Sequence, residues 1–339
     1  MVKVSIIIPI YQKEAYIASC LQSVMSQTYQ GAIECLLIDD CGTDKSMGVA
    51  EHLITNYQGP IQFKVLHHTH NRGISAARNT GMEAASGDYY LFLDSDDELS
   101  SDCIEKLSMP LSEELYDLVV GNTRTIGNDE MNHALSLKID DGIVLRRKEI
   151  EETYRKKWNM IAVNKLFRAD FVNEQELHFK EGIVFEDELW SLQTACLASS
   201  LRAVNHYTYY YYVREGSIMT SADLEVRRCK MQKLITTEIC VFLKERNIFS
   251  KNAYLLMQYF FWSSLKLSYC DVNQFIEDYC SLRQVTQMPL IYRIRACDFH
   301  PRAQIKNIYY LLPPRMVAKF IYWHNFKKRK ETSILNSDR

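Results

Sequence analysis

The sequence predicts an α/β protein, a mostly parallel sheet flanked by helices, with a helical C-terminal extension. Three observations carry that prediction. Over residues 1–100, apolar runs alternate four times with stretches of helical periodicity. The apolar runs are short and rich in Val, Ile and Leu, which suits strands buried on both faces of a sheet. From about Leu224 onward the pattern is helical, with Met231, Leu234, Ile235, Ile239 and Leu243 on one stripe and Leu255 to Leu267 apolar and aromatic.

The elements follow in order. Val2 to Ile10 is a first strand, closed by Pro9. Glu14 to Gln27 carries Ile17, Leu21, Val24 and Met25 at helical spacing. Glu34 to Ile38 is a second strand, and Asp39 and Asp40 follow it at once. Asp44 suits a helix N-cap ahead of Val49, Leu53, Ile54 and Tyr57. Ile61 to Leu66 is a third strand, Ile74 to Ala85 an Ala-rich helix closed by Gly87, and Tyr89 to Leu93 a fourth strand. Beyond residue 100 the alternation breaks. Asp117 to Val120 reads as a short strand, Leu135 to Val144 as a weak one, and the Tyr-rich Val204 to Val213 as another. Between the last two, a helix begins near Glu186 and Asp187.

Composition narrows the class. The 339 residues, 47% apolar and 24% charged, are those of a globular chain with a real core. A formal net charge of -2 carries no polyanion signature, so nucleic acid is not an expected partner. Ten cysteines occur without a Cys-x-x-Cys pair or Cys/His ligand spacing, the usage of a reduced, cytoplasmic protein. The N-terminal apolar run is too short for a signal peptide, and no run reaches the length of a membrane span.

The chemistry-bearing residues gather at strand exits. Asp94-Ser95-Asp96 follows the fourth strand, and in open α/β sheets ligands bind beyond the carboxyl ends of strands. Two hard oxygen donors there suit a divalent cation carrying a phosphate, although an acidic turn is the plainer alternative. Asp39 or Asp40 could hold a pyrimidine ring, and Arg72 or Arg78 could meet phosphate or a base edge. His67, His68 and His70 read as a polar loop. The first strand–helix turn has no Gly-x-Gly-x-x-Gly and no P-loop, so phosphate needs another device. Asp187 near a helix N-terminus is expected to have its pKa depressed by the dipole. Between Phe299 and Lys330 there are eight Lys or Arg and no acidic residue. Met316, Val317, Phe320, Ile321 and Trp323 are interleaved with those charges, which reads as a basic amphipathic, membrane-surface segment over residues 314–330.

The order and spacing of these pieces resemble the family 2 glycosyltransferases, inverting enzymes with the A-type nucleotide-sugar-binding fold. The carriers are Val4 to Tyr11, Asp39-Asp40 with Gly42-Thr43-Asp44, Asn71-Arg72-Gly73 with Ala76 to Asn79, and Gly87-Asp88-Tyr89 leading into Asp94 to Asp97. Asn164-Lys165-Leu166, Glu186-Asp187 and Arg214 to Ser217 resemble later motifs, and Cys41-Gly42 departs from the more usual Gly-Ser. The resemblance implies that Pro9, Tyr11 and Glu14 line the nucleotide pocket. It implies that Asp40 meets uracil, with Asp39 the second choice, and that Arg78 is a basic contact on the nucleotide side. Asp96 would ligate Mn²⁺ or Mg²⁺ while Asp94, with Ser95 beside it, lies nearer ribose or sugar. Asp187 would be the general base, and Arg214 and Ser217 would approach the diphosphate. The expected donor is a UDP-sugar, and the expected acceptor a saccharide or lipid-linked saccharide at the inner membrane face. On this reading residues 1–100 bind the donor, residues 101–223 bind the acceptor, and residues 224–339 form the helical region with its basic tail. A nucleotidyltransferase would need a glycine-rich basic loop that is missing here. A catalytically inactive nucleotide-sugar-binding or scaffold protein would keep the sheet while dispensing with Asp187 or the metal pair.

Overall fold

A computed structural model describes residues 1–128, 135–157, 161–214, 224–248, 250–265, 271–287, 309 and 311–324. The chain divides into two compact units, Met1–Thr220 and Ser221–Arg339.

The first unit begins with three strand–helix pairs and a fourth strand: β1 (Val4–Ile10), α1 (Ile17–Met25), β2 (Ile33–Asp39), α2 (Ser46–Thr55), β3 (Gln62–His67), α3 (Ile74–Ala84) and β4 (Tyr89–Phe92). Every residue of β1 and β4 is buried, which is why both read as apolar runs, broken only by Ser5 in β1. β3 alternates exposed and half-buried positions because it lies at the end of the strand order. These four strands pair in parallel in the order β3-β2-β1-β4, so their carboxyl ends share one edge. α3 packs close because Gly81 faces the sheet: a Cβ there would stand 2.3 Å from Ile7 Cγ2.

The rest of this unit is β5 (Glu98–Leu99), α4 (Cys103–Ser108), β6 (Leu118–Ile126), β7 (Val144–Arg146), α5 (Arg147–Lys157), β8 (Lys165–Arg168), α6 (Ala169–Glu174), α7 (Glu186–Leu197) and β9 (Ser200–Tyr212). β8 runs antiparallel to β4 and β6, and β5 and β7 run antiparallel to β9. β6 and β9 are parallel to each other. The expected parallel order thus holds in the first half, and the completed sheet is mixed. The weak strand expected at Leu135 to Val144 is confined to Val144–Arg146. The register carries β6 and β9 past the carboxyl end of β4. Under β4, Phe92, Phe167, Phe179 and Trp190 form one aromatic cluster, with Phe179 and Trp190 stacked at 4.1 Å.

The second unit contains α8 (Leu224–Glu245), α9 (Lys251–Ser264), α10 (Val272–Val285) and a further helix over residues 314–324. Ser250 caps α9 and Asp271 caps α10 with side-chain bonds to first-turn N–H groups. Phe261, Leu265, Phe275, Tyr279 and Leu282 pack with Val317, Ala318, Ile321 and Tyr322 in one core. Among the described residues no helix is long and apolar enough to cross a membrane.

Candidate active site

The carboxyl edge of the parallel strands gathers most of the residues the sequence singles out. β4 ends at Phe92, and Asp94 to Asp97 fill the short connection to β5. That connection is held from several sides. Asp94 Oδ1 accepts from Arg78 Nη2 at 2.9 Å, and Asp96 Oδ2 pairs with Lys13 Nζ at 2.5 Å. Asp97 is buried and accepts from Tyr209 Oη at 2.7 Å and from the Tyr212 N–H at 2.9 Å. Burial pushes the Asp97 carboxyl well above its ordinary range; neighbouring Asp94 and Asp96 add to this, and the two donors oppose it. Ser95 is buried. Arg214 donates to the Asp96 carbonyl at 3.1 Å and lies over the rings of Tyr16 and Tyr212 at 4.2 and 4.4 Å. Ser217 lies outside the described residues.

Arg78 is the junction of the site. Only 3% exposed, it donates through Nη1 to Glu186 Oε1 at 2.7 Å while Nη2 holds Asp94. Its guanidinium lies 5.1 Å from the Phe179 ring centroid. Burial opposes its charge, yet Asp94, Glu186 and Asp187 together raise its pKa. The expected nucleotide contact is therefore a sealed cation that joins β4's exit to the start of α7. One residue on, the Asn79 side chain exchanges two hydrogen bonds with the backbone of Phe179, at 2.9 and 2.8 Å. α3 thereby positions the segment that leads to Asp187.

Asp187 is the second residue of α7, behind Phe185 in the left-handed region at φ 65°. The expected helix N-terminus is present, but the expected depression of its pKa is not. Burial raises this carboxyl, Glu186, Glu188 and Asp94 raise it further, and Arg78 opposes them. Burial first, and then Glu186 and Glu188 in the same first turn, outweigh the helix dipole.

At the exit of β2 the two aspartates part company. Asp40, 3% exposed, accepts from His68 Nδ1 at 2.7 Å and from the N–H groups of Arg72 and Gly73, both at 2.8 Å. Gly73 has φ 86°, a conformation that favours glycine, and starts α3. Asp40 therefore moulds the β3–α3 loop and turns away from solvent. Asp39 accepts from Cys41 N–H and from His67 Nδ1, and keeps 17% of its side chain exposed. The three loop histidines thus go to separate partners, His70 meeting Thr69. Pro9 is buried in β1, Tyr11 is 42% exposed beyond it, and Glu14 accepts from the Lys45 N–H. Asp44 lies one residue before Lys45, which is the N-cap of α2 in place of the expected Asp44; it accepts from Ser46 N–H at 3.1 Å and from Glu14 N–H at 2.9 Å, and so holds the β1–α1 turn.

For a divalent cation the donor set is Asp94 and Asp96, with side chains 27% and 19% exposed. Among the described residues no group of three or more His, Cys, Asp or Glu converges to enclose a metal. Two carboxylates fit Mg²⁺ or Mn²⁺ where diphosphate oxygens and water complete the shell. Sequence reasoning gave no role to Lys13, Glu186, Tyr209 or Asn79. Glu186 and Asn79 did carry a signal, as members of the motifs Glu186-Asp187 and Ala76 to Asn79. A cavity of about 910 Å³ opens elsewhere, at the amino end of β4, among Tyr29, Asp88, Tyr90, Arg168 and Asn173, away from these carboxylates.

Residues 5–175 match the family model described as glycosyl transferase family 2. The glycosyltransferase GlyG of Streptococcus pneumoniae serotype 4 is 31% identical over 66% of this chain and 76% of that protein. The poly(ribitol-phosphate) beta-N-acetylglucosaminyltransferase TarS of Staphylococcus aureus is 25% identical over 70% of this chain, but only 41% of TarS is matched. In structure, TarS residues 1–349 in complex with UDP-GlcNAc align with a TM-score of 0.70 at 20% identity, covering 95% of this chain and 92% of that one. A mannosyltransferase from Pyrobaculum calidifontis with GDP-Man and Mn²⁺ aligns with a TM-score of 0.56 at 13% identity, covering 95% and 87%. The chain belongs to glycosyl transferase family 2.

Proposed function

We propose that this protein transfers a sugar, with inversion, from a nucleotide-sugar to a hydroxyl group during the building of a cell-surface polysaccharide. The observation that carries the reading is the Arg78 junction. One buried cation ties Asp94, at the strand exit, to Glu186, beside Asp187. Groups that would face the leaving diphosphate and the group that would face the acceptor thus share one edge of the sheet. A UDP-sugar is the preferred donor, supported by the TarS structures with UDP-GlcNAc and with UDP. The acceptor is a saccharide or a lipid-linked saccharide, and work at the inner membrane face belongs to the same proposal.

The residues take roles as follows. Asp39, more exposed than Asp40, offers its carboxylate to the uracil ring, with Pro9, Tyr11 and Glu14 around the nucleotide. Asp96 and Asp94 hold Mn²⁺ or Mg²⁺, which when bound supplies positive charge to the departing diphosphate. Arg214 donates to the Asp96 carbonyl and Lys13 pairs with the Asp96 carboxylate, so two cations stand beside Asp96 to meet the diphosphate. Asp187 accepts the proton of the acceptor hydroxyl. A raised pKa makes it a stronger base once ionised, which suits proton transfer near neutral pH.

One observation favours the inactive-binder alternative: Asp94 and Asp96 already carry protein cations. The deciding experiment measures UDP release from UDP-sugars over a panel of saccharide acceptors. Turnover is expected, and Asp187→Asn should keep donor binding while losing transfer by about two to four orders of magnitude. Normal turnover by that variant removes the base assignment. Donor binding with no turnover on any acceptor returns the inactive binder.

A further inference from the structure

Helix 314–324 has two unlike faces. Val317, Ala318, Ile321 and Tyr322 are at most 5% exposed and packed into the core of the second unit. The sequence placed Val317 and Ile321 with the membrane-facing residues; the fold uses them as anchors instead. The opposite face leaves Met316 52%, Phe320 58% and Trp323 61% exposed. Their spacing of four and three residues aligns them on one strip. Leu311, 72% exposed, and Leu312 precede the helix, and Tyr309 sits 6.2 Å from the Phe320 ring. Single exposed apolar side chains are ordinary, but a strip of three large ones along one face of a helix is not.

Cations border that strip. Arg315 and Lys319, one turn apart, are exposed beside it. Arg315 also shares a cavity of about 580 Å³ with Arg283, Gln284 and Gln287 from the end of α10. Two guanidinium groups and two amides in one hollow suit an anionic headgroup. Arg315 and Lys319 have no acid in their own segment, residues 299–330.

We propose that this face, the Met316–Phe320–Trp323 strip with the Arg283/Arg315 hollow beside it, docks the protein on an anionic lipid surface. The inference rests on the membrane clause of the reading above and gives it a location. Charge complementarity selects the occupant. A second copy in a two-fold dimer would bring the same cations face to face. A soluble polyanion would use the cations and leave the aromatic strip in water. A bilayer with acidic headgroups satisfies both: the rings enter the headgroup–acyl boundary while the cations meet phosphate.

The test is vesicle co-sedimentation of the full chain with phosphatidylcholine alone and with phosphatidylcholine plus phosphatidylglycerol. Binding is expected only to the second and should weaken with salt. The double variants Phe320→Ser/Trp323→Ser and Arg315→Glu/Lys319→Glu lie on the exposed face, so the core is left intact. Each should lower partitioning about tenfold or more, while the UDP-induced thermal shift stays as in the parent. Undiminished binding by both variants overturns the site and leaves the membrane clause standing. Absence of vesicle binding removes both, with sugar transfer untouched. Equal binding to neutral vesicles overturns the proposal. So does a dimer that the aromatic variant dissociates in the absence of lipid. Polyphosphate binding that the aromatic variant leaves unchanged, without vesicle binding, assigns the cations to a polymer and overturns it as well.

Discussion

Asp187 and Lys13 are the residues whose surroundings change what they can do. A free aspartate has a pKa of about 3.9, and that of Asp187 lies well above its ordinary value because burial and Glu186, Glu188 and Asp94 disfavour its charge. The sign of the consequence is fixed. A raised pKa keeps the acid form present at pH values where an ordinary carboxylate is already ionised. As the proposed base, Asp187 would act only when ionised, so kcat/KM should climb with pH through the shifted value and then level. A pH profile already flat from about pH 5 upward would show that Asp187 does not limit the rate. Lys13 acts on the other side of the site. Its ammonium lies on Asp96 at 2.5 Å and competes with any second cation there. Lys13→Met should therefore bind Mn²⁺ about tenfold more tightly in the absence of nucleotide, one unit charge being worth at least that at such range. Paramagnetic titration of the free ion reads this directly, and equal affinity in both proteins would exclude the competition.

Among the elements, the amino end of the sheet shows how the site is kept in place from behind. Glu34 on β2 accepts from Ser5 Oγ on β1, from Lys3 Nζ, and from the N–H and Oγ of Ser86 ahead of β4. Burial raises its pKa, but these donors outweigh it and pull Glu34 down to about 2. A carboxylate depressed in the folded state stabilises the protein above its unfolded pKa, and that contribution disappears as pH falls through the folded value. Glu34→Gln should cost about 1 kcal/mol at pH 7 after solvent screening. It should also flatten the loss of stability between about pH 4.5 and pH 2. Urea unfolding of both proteins at pH 7 and pH 3 checks it, and parallel losses would dismiss the strap. The elements that this corner joins were the legible ones. β1, β2 and β4 announce themselves because strands with both faces covered are mostly apolar, Ser5 and Glu34 being the polar exceptions near their amino ends. β8 did not, because Lys165 begins its four residues and is buried there with its ammonium on the carbonyls of Ile161 and Val163. Nor did the pairing of β6 with β9, since a register joining Leu118 to Leu201 leaves no local pattern in the chain.

Across the molecule, acidic side chains were legible as residues and illegible as a network. The sequence points to Asp94, Asp96 and Asp187 by position after strands and at a helix start. It does not reveal that Arg78 would be buried between two of their segments, or that Asp40 would be spent on a loop. Such roles depend on side chains 16 to 108 positions apart in the chain meeting in space. That network makes a prediction about ligands rather than variants. In the protein as it stands Arg78 neutralises Asp94 and Lys13 neutralises Asp96. A cation arriving alone must displace Lys13 and leave that ammonium without its partner. A diphosphate arriving alone meets two carboxylates at close range. Together each removes the other's penalty, because diphosphate oxygens can take over Lys13 and Arg214 while the cation takes over Asp96. UDP and Mn²⁺ should therefore bind cooperatively. At a hundredfold excess over Kd a ligand adds about 2.7 kcal/mol, which for a unit of this size raises Tm by about 5–10 °C. Saturating UDP with Mn²⁺ should reach that range, whereas the shifts for UDP alone and for Mn²⁺ alone should sum to clearly less. Strict additivity in a thermal-shift titration would mean that the two ligands do not share the Asp94–Asp96 edge.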